Sequence, residues 1–332
     1  QNSMKKKIII FGATGNIGVY LTDYLLEKFD SNEYEIIAVG RRKTNFFDKR
    51  GVRYFSMDIS DKAAFEALPQ DNVYAAVHLA NLLPARMTED DPYEYFKVNL
   101  NGSINILEYL KKTNADRIVF TQSYADIAGH WDKEKVLRYD LPRSLKYTGD
   151  HALYSISKCA VEDIIEYYHQ SFGLKNFILR LPNIYMYAPE EFYYVDGKKI
   201  NISYRYIIRR AINGEPIELW GDPTRVRDMI YIKDFCQLVY KTLITDRSTG
   251  HYNAGTGVGT SMQEQIEGII DVFSPEGKRS EIIYCPEKRN AMEYIMDISN
   301  AEEEIGYKPE YFYREYLEDY KREMNGSRFE GL

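Results

Sequence analysis

Apolar and polar positions along the chain follow two alternating rhythms. Ile8-Ile9-Ile10-Phe11, Glu35 to Val39, Val73 to Leu79, Arg117 to Thr121 and Phe177 to Leu181 are short apolar runs that read as strands. Between them lie stretches with helical spacing. Val19 to Phe29 carries Leu21, Tyr24, Leu25 and Leu26 on or near one face, Asp61 to Leu68 reads as a short helix, and Tyr93 to Thr113 and Ala152 to Phe172 read as long ones. Val52-Arg53-Tyr54-Phe55 leads into Met57-Asp58-Ile59. This alternation predicts an α/β fold, a parallel sheet with helices on both faces. Beyond Pro182 the rhythm loosens: Glu190 to Ser203 is mixed and polar, whereas Tyr204 to Asn213, Asp234 to Ile244 and Met262 to Phe273 read as helices. Residues 4–180 are therefore expected to form the main domain. Residues 181–332 are expected to form mainly a smaller one, with some segments returning to the first.

Composition narrows the function classes. The 332 residues carry 43 Lys+Arg against 50 Asp+Glu, a formal net charge of -7, and no basic block offsets it, which disfavours nucleic acid as a partner. Cys159, Cys236 and Cys285 are too few and too scattered for a disulfide framework or a thiolate metal site, and the five histidines form no ligand motif, so no metal is expected. No apolar run approaches ~20 residues and no signal-like segment precedes the first strand, so neither a membrane span nor secretion is expected and a cytoplasmic protein is. The leading Gln1-Asn2-Ser3 before Met4 reads as a cloning remnant. The 30 tyrosines are either structural or part of a recognition surface.

The first strand runs directly into Gly12-Ala13-Thr14-Gly15-Asn16-Ile17-Gly18 and then a helix. In that context Gly12 permits a tight turn, Gly15 lets a pyrophosphate approach the backbone, and Gly18 permits close packing of helix on sheet. The N–H groups of the helix start suit phosphates. After the second strand stands Gly40-Arg41-Arg42 rather than an acid. A guanidinium there pairs with the 2′-phosphate of NADP, so NADP is preferred to NAD, although a solvated turn would carry the same pair. Asp58 is placed to accept from an adenine amine or to cap the helix near Ser60.

Tyr154-Ser155-Ile156-Ser157-Lys158 sets a phenol and an ammonium four residues apart on one helix face. A cation beside Tyr154 would lower its pKa and let it take a hydroxyl proton, and Lys158 would also hold ribose hydroxyls. Ser123, in Phe120-Thr121-Gln122-Ser123-Tyr124, would polarise the substrate carbonyl; Tyr124 or Asp126 could take its place if the loop is one residue longer. His78 is as readily structural as functional, and Cys159 is expected to pack rather than react.

These motifs, with Asp58, His78-Leu79-Ala80, Asn99, Arg180-Leu181-Pro182-Asn183-Ile184-Tyr185 and Arg227-Asp228-Met229-Ile230-Tyr231-Ile232-Lys233-Asp234, resemble those of the extended short-chain dehydrogenase/reductase family, specifically its NAD(P)-dependent epimerase/dehydratase group acting on nucleotide sugars. The resemblance covers nearly all of residues 4–325. It implies a Rossmann-like sheet with a smaller C-terminal substrate-binding domain. It also implies a dinucleotide site of Gly12, Gly15, Asn16, Ile17, Gly18, Arg41, Arg42, Asp58, Ile59, Leu79, Ala80, Asn99, Tyr154 and Lys158. For the nucleotide-diphosphate sugar it implies Ser123, Tyr124, Asn183, Arg227 and, more loosely, Arg289. The chain departs from the family's 4,6-dehydratases, which carry Thr-Asp-Glu where this chain has Ser123-Tyr124-Ala125-Asp126-Ile127; dehydration is disfavoured, with Asp126 the residue that keeps it open. Asn183-Ile184-Tyr185-Met186-Tyr187-Ala188-Pro189 replaces the usual Asn-Val-Tyr-Gly-Pro, and Tyr124, Tyr185 and Tyr187 are expected to border the sugar pocket. The leading expectation is C4 epimerisation through a keto-sugar. NADPH-dependent reduction of a keto-deoxysugar is the alternative, ahead of a non-catalytic dinucleotide sensor. A homodimer built on the Tyr93–Thr113 and Ala152–Phe172 helices is also implied.

Overall fold

The computed structural model describes residues 5–81, 83, 87 and 91–332. Met4 and the Gln1–Ser3 lead lie outside the described residues. Seven strands, β1 (Lys6–Phe11), β2 (Tyr34–Gly40), β3 (Arg53–Ser56), β4 (Val73–His78), β5 (Arg117–Ser123), β6 (Lys175–Leu181) and β7 (Thr249–Asn253), form one sheet in the order β7-β6-β5-β4-β1-β2-β3. Every pairing in it is parallel. The strand order reverses between β1 and β4, and the carboxyl ends of these strands open the crevice in which such sheets take ligands.

Continuous apolar runs make a sheet of this kind because both faces are covered. Ile8 and Ile10 of β1 enter one layer with Val19, Leu21 and Leu25 of the helix Asn16–Lys28 and Phe235, Leu238 and Val239 of the helix Ile232–Ile244. Ile9 and Phe11 point the other way, into a layer with Ile106, Leu107 and Leu110 of the helix Gly102–Lys112 and Val161 and Ile165 of the helix Ala152–Phe172. Each fully buried side chain of this size contributes about 1.5–3 kcal/mol. The sheet is thus a rigid platform, and its loops carry the chemistry.

Three features depart from what periodicity predicts. The Tyr93–Thr113 helix is interrupted: an α-helical turn at Pro92–Tyr95 leads into a π-helical stretch, Phe96–Asn101, before the α-helix resumes at Gly102. A wider turn rotates the residues around it off the regular face, and here it buries Asn99 completely. The polar segment 190–203 contains an antiparallel hairpin, Phe192–Val195 with Lys198–Asn201. β7, which sequence patterning left unassigned, returns from the C-terminal half to pair with β6.

The C-terminal half also receives many of the tyrosines. Tyr313, Tyr316 and Tyr320 on the helix Tyr313–Met324 pack with Tyr185, Tyr204 and Tyr231, with Tyr231 and Tyr316 ring centroids 5.0 Å apart. Tyr231 donates to Asp319 at 2.7 Å, satisfying its buried hydroxyl. The Tyr187 ring lies against Tyr320 and Phe329, and its carbonyl accepts from Tyr20. Among the described residues no helix is long and apolar enough to cross a membrane.

Candidate active site

Gly12 adopts φ +88°, and a Cβ there would meet Ala80 N and Leu79 C at 2.9 Å, so the turn after β1 lies directly against the end of β4. At Gly18 a Cβ would stand 2.6 Å from Ala13 Cα, which is the close helix-on-strand packing expected. Gly15 is the N-cap of the helix Asn16–Lys28, with no capping side chain and no acid in the first turn. The helix start is therefore bare backbone with a positive field, a cradle that fits a dinucleotide's pyrophosphate. On the β2–β3 side, Arg41 and Arg42 are exposed, and their carbonyls are held by Ser56 and Tyr54. Asp58 is exposed as well. Its Oδ1 accepts from the Ser60 N–H at 2.9 Å and hydroxyl at 2.8 Å, and these bonds, with Lys97 and Arg41, outweigh partial burial and keep the carboxyl below the usual range. Asp61, not Asp58, caps the short helix Lys62–Ala67. Ile59 is buried, and Asn105 donates to its carbonyl at 2.8 Å.

Asn99, Ser157 and His78 form a chain of bonds beneath the Tyr154–Lys158 face. Asn99 Nδ2 donates to Ser157 Oγ at 3.1 Å, and Ser157 donates to the Tyr154 carbonyl at 2.8 Å. His78 is wholly buried with both nitrogens engaged: Nδ1 accepts from the Ala80 N–H at 3.3 Å, which leaves Nε2 to donate to Ser103 at 2.7 Å. Burial and the neighbouring Lys158 bring the imidazole down to about 3, so it stays neutral. This is the structural reading of His78.

Tyr154 and Lys158 share the face that their spacing predicts, with Nζ 5.9 Å from the Tyr154 ring centroid. Lys158 is 1% exposed; its amine donates to the Thr121 carbonyl at the end of β5 and lies 4.2 Å from the Phe120 ring centroid. Burial brings this ammonium down to about 7, with Glu162 acting against the shift. The expected lowering of the Tyr154 pKa is not found in the protein alone: burial pushes the phenol well up, with Tyr95 adding to it. A buried phenol without a cation at its oxygen holds its proton, so ionisation needs the charge of a bound ligand nearby.

Ser123 ends β5 and caps the following 3-10 turn, its Oγ accepting from Ala125 N–H at 3.1 Å. Tyr124 stacks near Trp131 and Tyr294, at 4.6 and 5.5 Å between centroids, and burial pushes its phenol up to about 12. Arg227 is half-buried, 5.6 Å from the Tyr294 ring, and its Nε is buried with no partner among the described residues. An orphaned guanidinium nitrogen at this place fits an anionic ligand. Asp126, by contrast, is committed. It is 2% exposed and bidentate to Arg180 at 2.8 and 3.0 Å, and Arg180 in turn donates to Asn253. Asn183 is exposed after β6, and Arg289 is exposed just beyond the turn that follows the strand Ile282–Cys285. No hydrogen bond joins either to the Tyr154–Lys158 pair among the described residues. Cys159 is buried, and burial pushes its thiol up to about 12, as suits a packing residue. Thr121, Ser157, Gln122 and Glu162 escaped the sequence reading. Glu162 follows Lys158 by four residues, a helical spacing that could have flagged it.

Comparison with known proteins agrees with this geometry. The chain is 29% identical over 314 residues to a putative UDP-glucose 4-epimerase of Methanocaldococcus jannaschii, covering 91% of this chain and 93% of the relative. The UDP-glucose 4-epimerase of Thermotoga maritima, solved with UDP-glucose, superposes with a TM-score of 0.76 at 23% identity over 96% of this chain and all of the other. The UDP-glucose 4-epimerase of Thermus thermophilus, solved with NAD, gives 0.72 at 23% identity over 95% and 99%. The profile of the NAD dependent epimerase/dehydratase family matches residues 8–255, and the chain belongs to that family.

Proposed function

We propose that the protein interconverts C4 epimers of a nucleotide-diphosphate sugar. The observation that carries this reading is the buried Tyr154–Lys158 pair, with the Lys158 amine on the Thr121 carbonyl and the Ser157 hydroxyl on the Tyr154 carbonyl. Its similarity across nearly the whole chain to 4-epimerases supports it. Gly12, Gly15, Asn16, Ile17, Gly18, Asp58, Ile59, Leu79, Ala80 and Asn99 would hold the dinucleotide, in a domain of residues 4–180. Residues 181–332 would mainly seat the sugar nucleotide, Arg227, Asn183 and Arg289 taking its anionic and nucleotide parts. When bound, NAD(P)⁺ supplies a hydride acceptor and donor at the sugar carbon, which makes epimerisation redox-neutral.

In this reading Tyr154 takes the C4 hydroxyl proton and returns it. Lys158 stabilises the phenolate and holds ribose hydroxyls, and Ser123 orients the reacting oxygen by a hydrogen bond. Tyr124 and Arg227 bound the sugar side. Asp126 is unsuited to the acid chemistry of a 4,6-dehydratase because Arg180 occupies both its oxygens. Arg41 and Arg42, exposed where an acid would favour NAD, support a preference for NADP. The preference is tested by competing NAD against NADP in the parent and in Arg41→Ala. Parity in the parent removes it. A homodimer through the 92–112 and 152–172 helices would cover Tyr93 and Tyr167, both strongly exposed. Sedimentation showing only monomer on dilution counts against that assembly.

The test of the function is incubation with UDP- and dTDP-linked hexoses, uronates and N-acetylhexosamines, with product and dinucleotide both quantified. Epimer formation without net dinucleotide turnover supports the proposal. Stoichiometric NADPH consumption with a keto-sugar, or no turnover across the panel, contradicts it.

A further inference from the structure

Ser123 is not positioned by its own strand alone. The preceding residue, Gln122, is 1% exposed, and its side-chain carbonyl accepts the Ser123 N–H at 2.9 Å. The Gln122 amide donates to Glu162 Oε1 at 3.4 Å and lies 3.9 Å from Cys159 Sγ. Glu162 stands one turn after Lys158 on the same helix. It is clamped from outside, by Arg143 at 2.8 Å on Oε2 and by His251 Nε2 at 3.4 Å from Oε1. One carboxylate therefore links the backbone of Ser123, through Gln122, with the helix that carries Lys158.

We infer that Gln122 and Glu162 are positioning residues of the active site: Glu162 holds the Gln122 amide, Gln122 fixes the Ser123 backbone, and the Glu162 charge supports the Lys158 ammonium. The inference rests on the proposed roles of Ser123 and Lys158. The charged and titratable groups around Glu162 come from every neighbouring element. Lys158, Cys159 and Asp163 lie on its own helix, Asp126 follows β5 with Arg180 of β6 on it, Arg143 comes from the loop between, and His251 from β7. Burial alone would raise the Glu162 carboxyl, but His251 and Arg143 hold it down to about 2, so it is an anion at neutral pH. Asp126, Glu162 and His251 offer ligand atoms within 4.8 Å of one another. Arg180 and Arg143 already pair with the two carboxylates, which makes the cluster a closed ion-pair network rather than a metal site.

The network separates two effects that a purely structural role would merge. Gln122→Leu removes the bond to Ser123 without touching Lys158, whereas Glu162→Gln keeps an acceptor for Gln122 and removes only the charge. The test measures kcat, KM and the pH profile of both variants on the nucleotide sugar that the parent turns over, with thermal unfolding alongside. For Gln122→Leu, kcat falls about five- to tenfold with KM within about twofold, as expected for one hydrogen bond that aligns a reacting group. For Glu162→Gln, loss of a nearby anion lowers the Lys158 pKa, so the alkaline fall of kcat moves to lower pH by about one unit. If Gln122→Leu does not fold, the Glu162→Gln profile decides alone. An active parent whose variants keep its kcat and pH profile overturns this inference and leaves the proposed function standing. A parent that turns over no nucleotide sugar overturns both.

Discussion

Replacing Lys158 by methionine removes the amine and keeps most of the buried stem. In the folded protein the ammonium pKa is brought from 10.5 to about 7, chiefly by burial. The depressed value means that the unfolded chain binds more protons between those limits, so Lys158 costs stability at low pH and the cost disappears as pH rises through 10.5. At 1.36 kcal/mol per unit, the cost at neutral pH is about 4 kcal/mol. Methionine escapes that cost but leaves the Thr121 carbonyl without its donor and loses the contact with Phe120, together about 1–2 kcal/mol. The net expectation is a variant about 2–3 kcal/mol more stable. For 332 residues, at ~2.1 cal/mol/K each, this corresponds to about 3–4 °C in Tm. Differential scanning calorimetry across pH gives the decisive pattern, because the ionisation part should shrink by about two thirds between pH of roughly 6.5 and 9.5. The same variant should be inactive, since stability given up at a site is the usual companion of function. A variant less stable than the parent at pH 7, or a gain that does not change with pH, refutes the reasoning.

Further substitutions test other parts of the site. Tyr154→Phe should lower kcat by about 10²–10⁴-fold while dinucleotide affinity, read by fluorescence titration, stays near the parent's. Gly18→Ala places a methyl 2.6 Å from Ala13 Cα and should cost about 1–3 kcal/mol of stability in urea unfolding, with dinucleotide affinity falling about tenfold or more. Arg180→Met leaves the Asp126 carboxylate buried and uncompensated, a loss of about 3–5 kcal/mol. Burial already raises the Asp126 pKa against the pull of Arg180, and without that guanidinium it rises further. The gap between variant and parent should therefore narrow as pH falls through the raised pKa of the Asp126 carboxyl and it takes a proton.

Local signals carried well from sequence to structure, and distant ones did not. The strand–glycine–helix unit and the Tyr154–Lys158 face are set by spacing within one or two elements, and both appear as expected. The π-helical stretch around Asn99 is invisible to a 3.6-residue period because it is a local break in that period, maintained by tertiary bonds to Ser157. Asp126 looked like a free acid beside Ser123, whereas its partner Arg180 lies 54 residues away on an adjacent strand. β7 and the tyrosine cluster on the C-terminal helix likewise depend on contacts with segments far along the chain. The Tyr154 phenol shows the limit in chemistry: residue spacing identified the pair, but the sign of its pKa shift in the protein alone is decided by burial.

Under the proposed C4 epimerisation, hydride would leave C4 and return to the same carbon within one active site. The most direct measurement uses a nucleotide sugar accepted by the protein and deuterated at C4, with product analysed by mass spectrometry and NMR. The account predicts that the epimer retains deuterium at C4, with no net change in dinucleotide redox state. Product carrying hydrogen at C4, or deuterium accumulating in reduced dinucleotide, would contradict it.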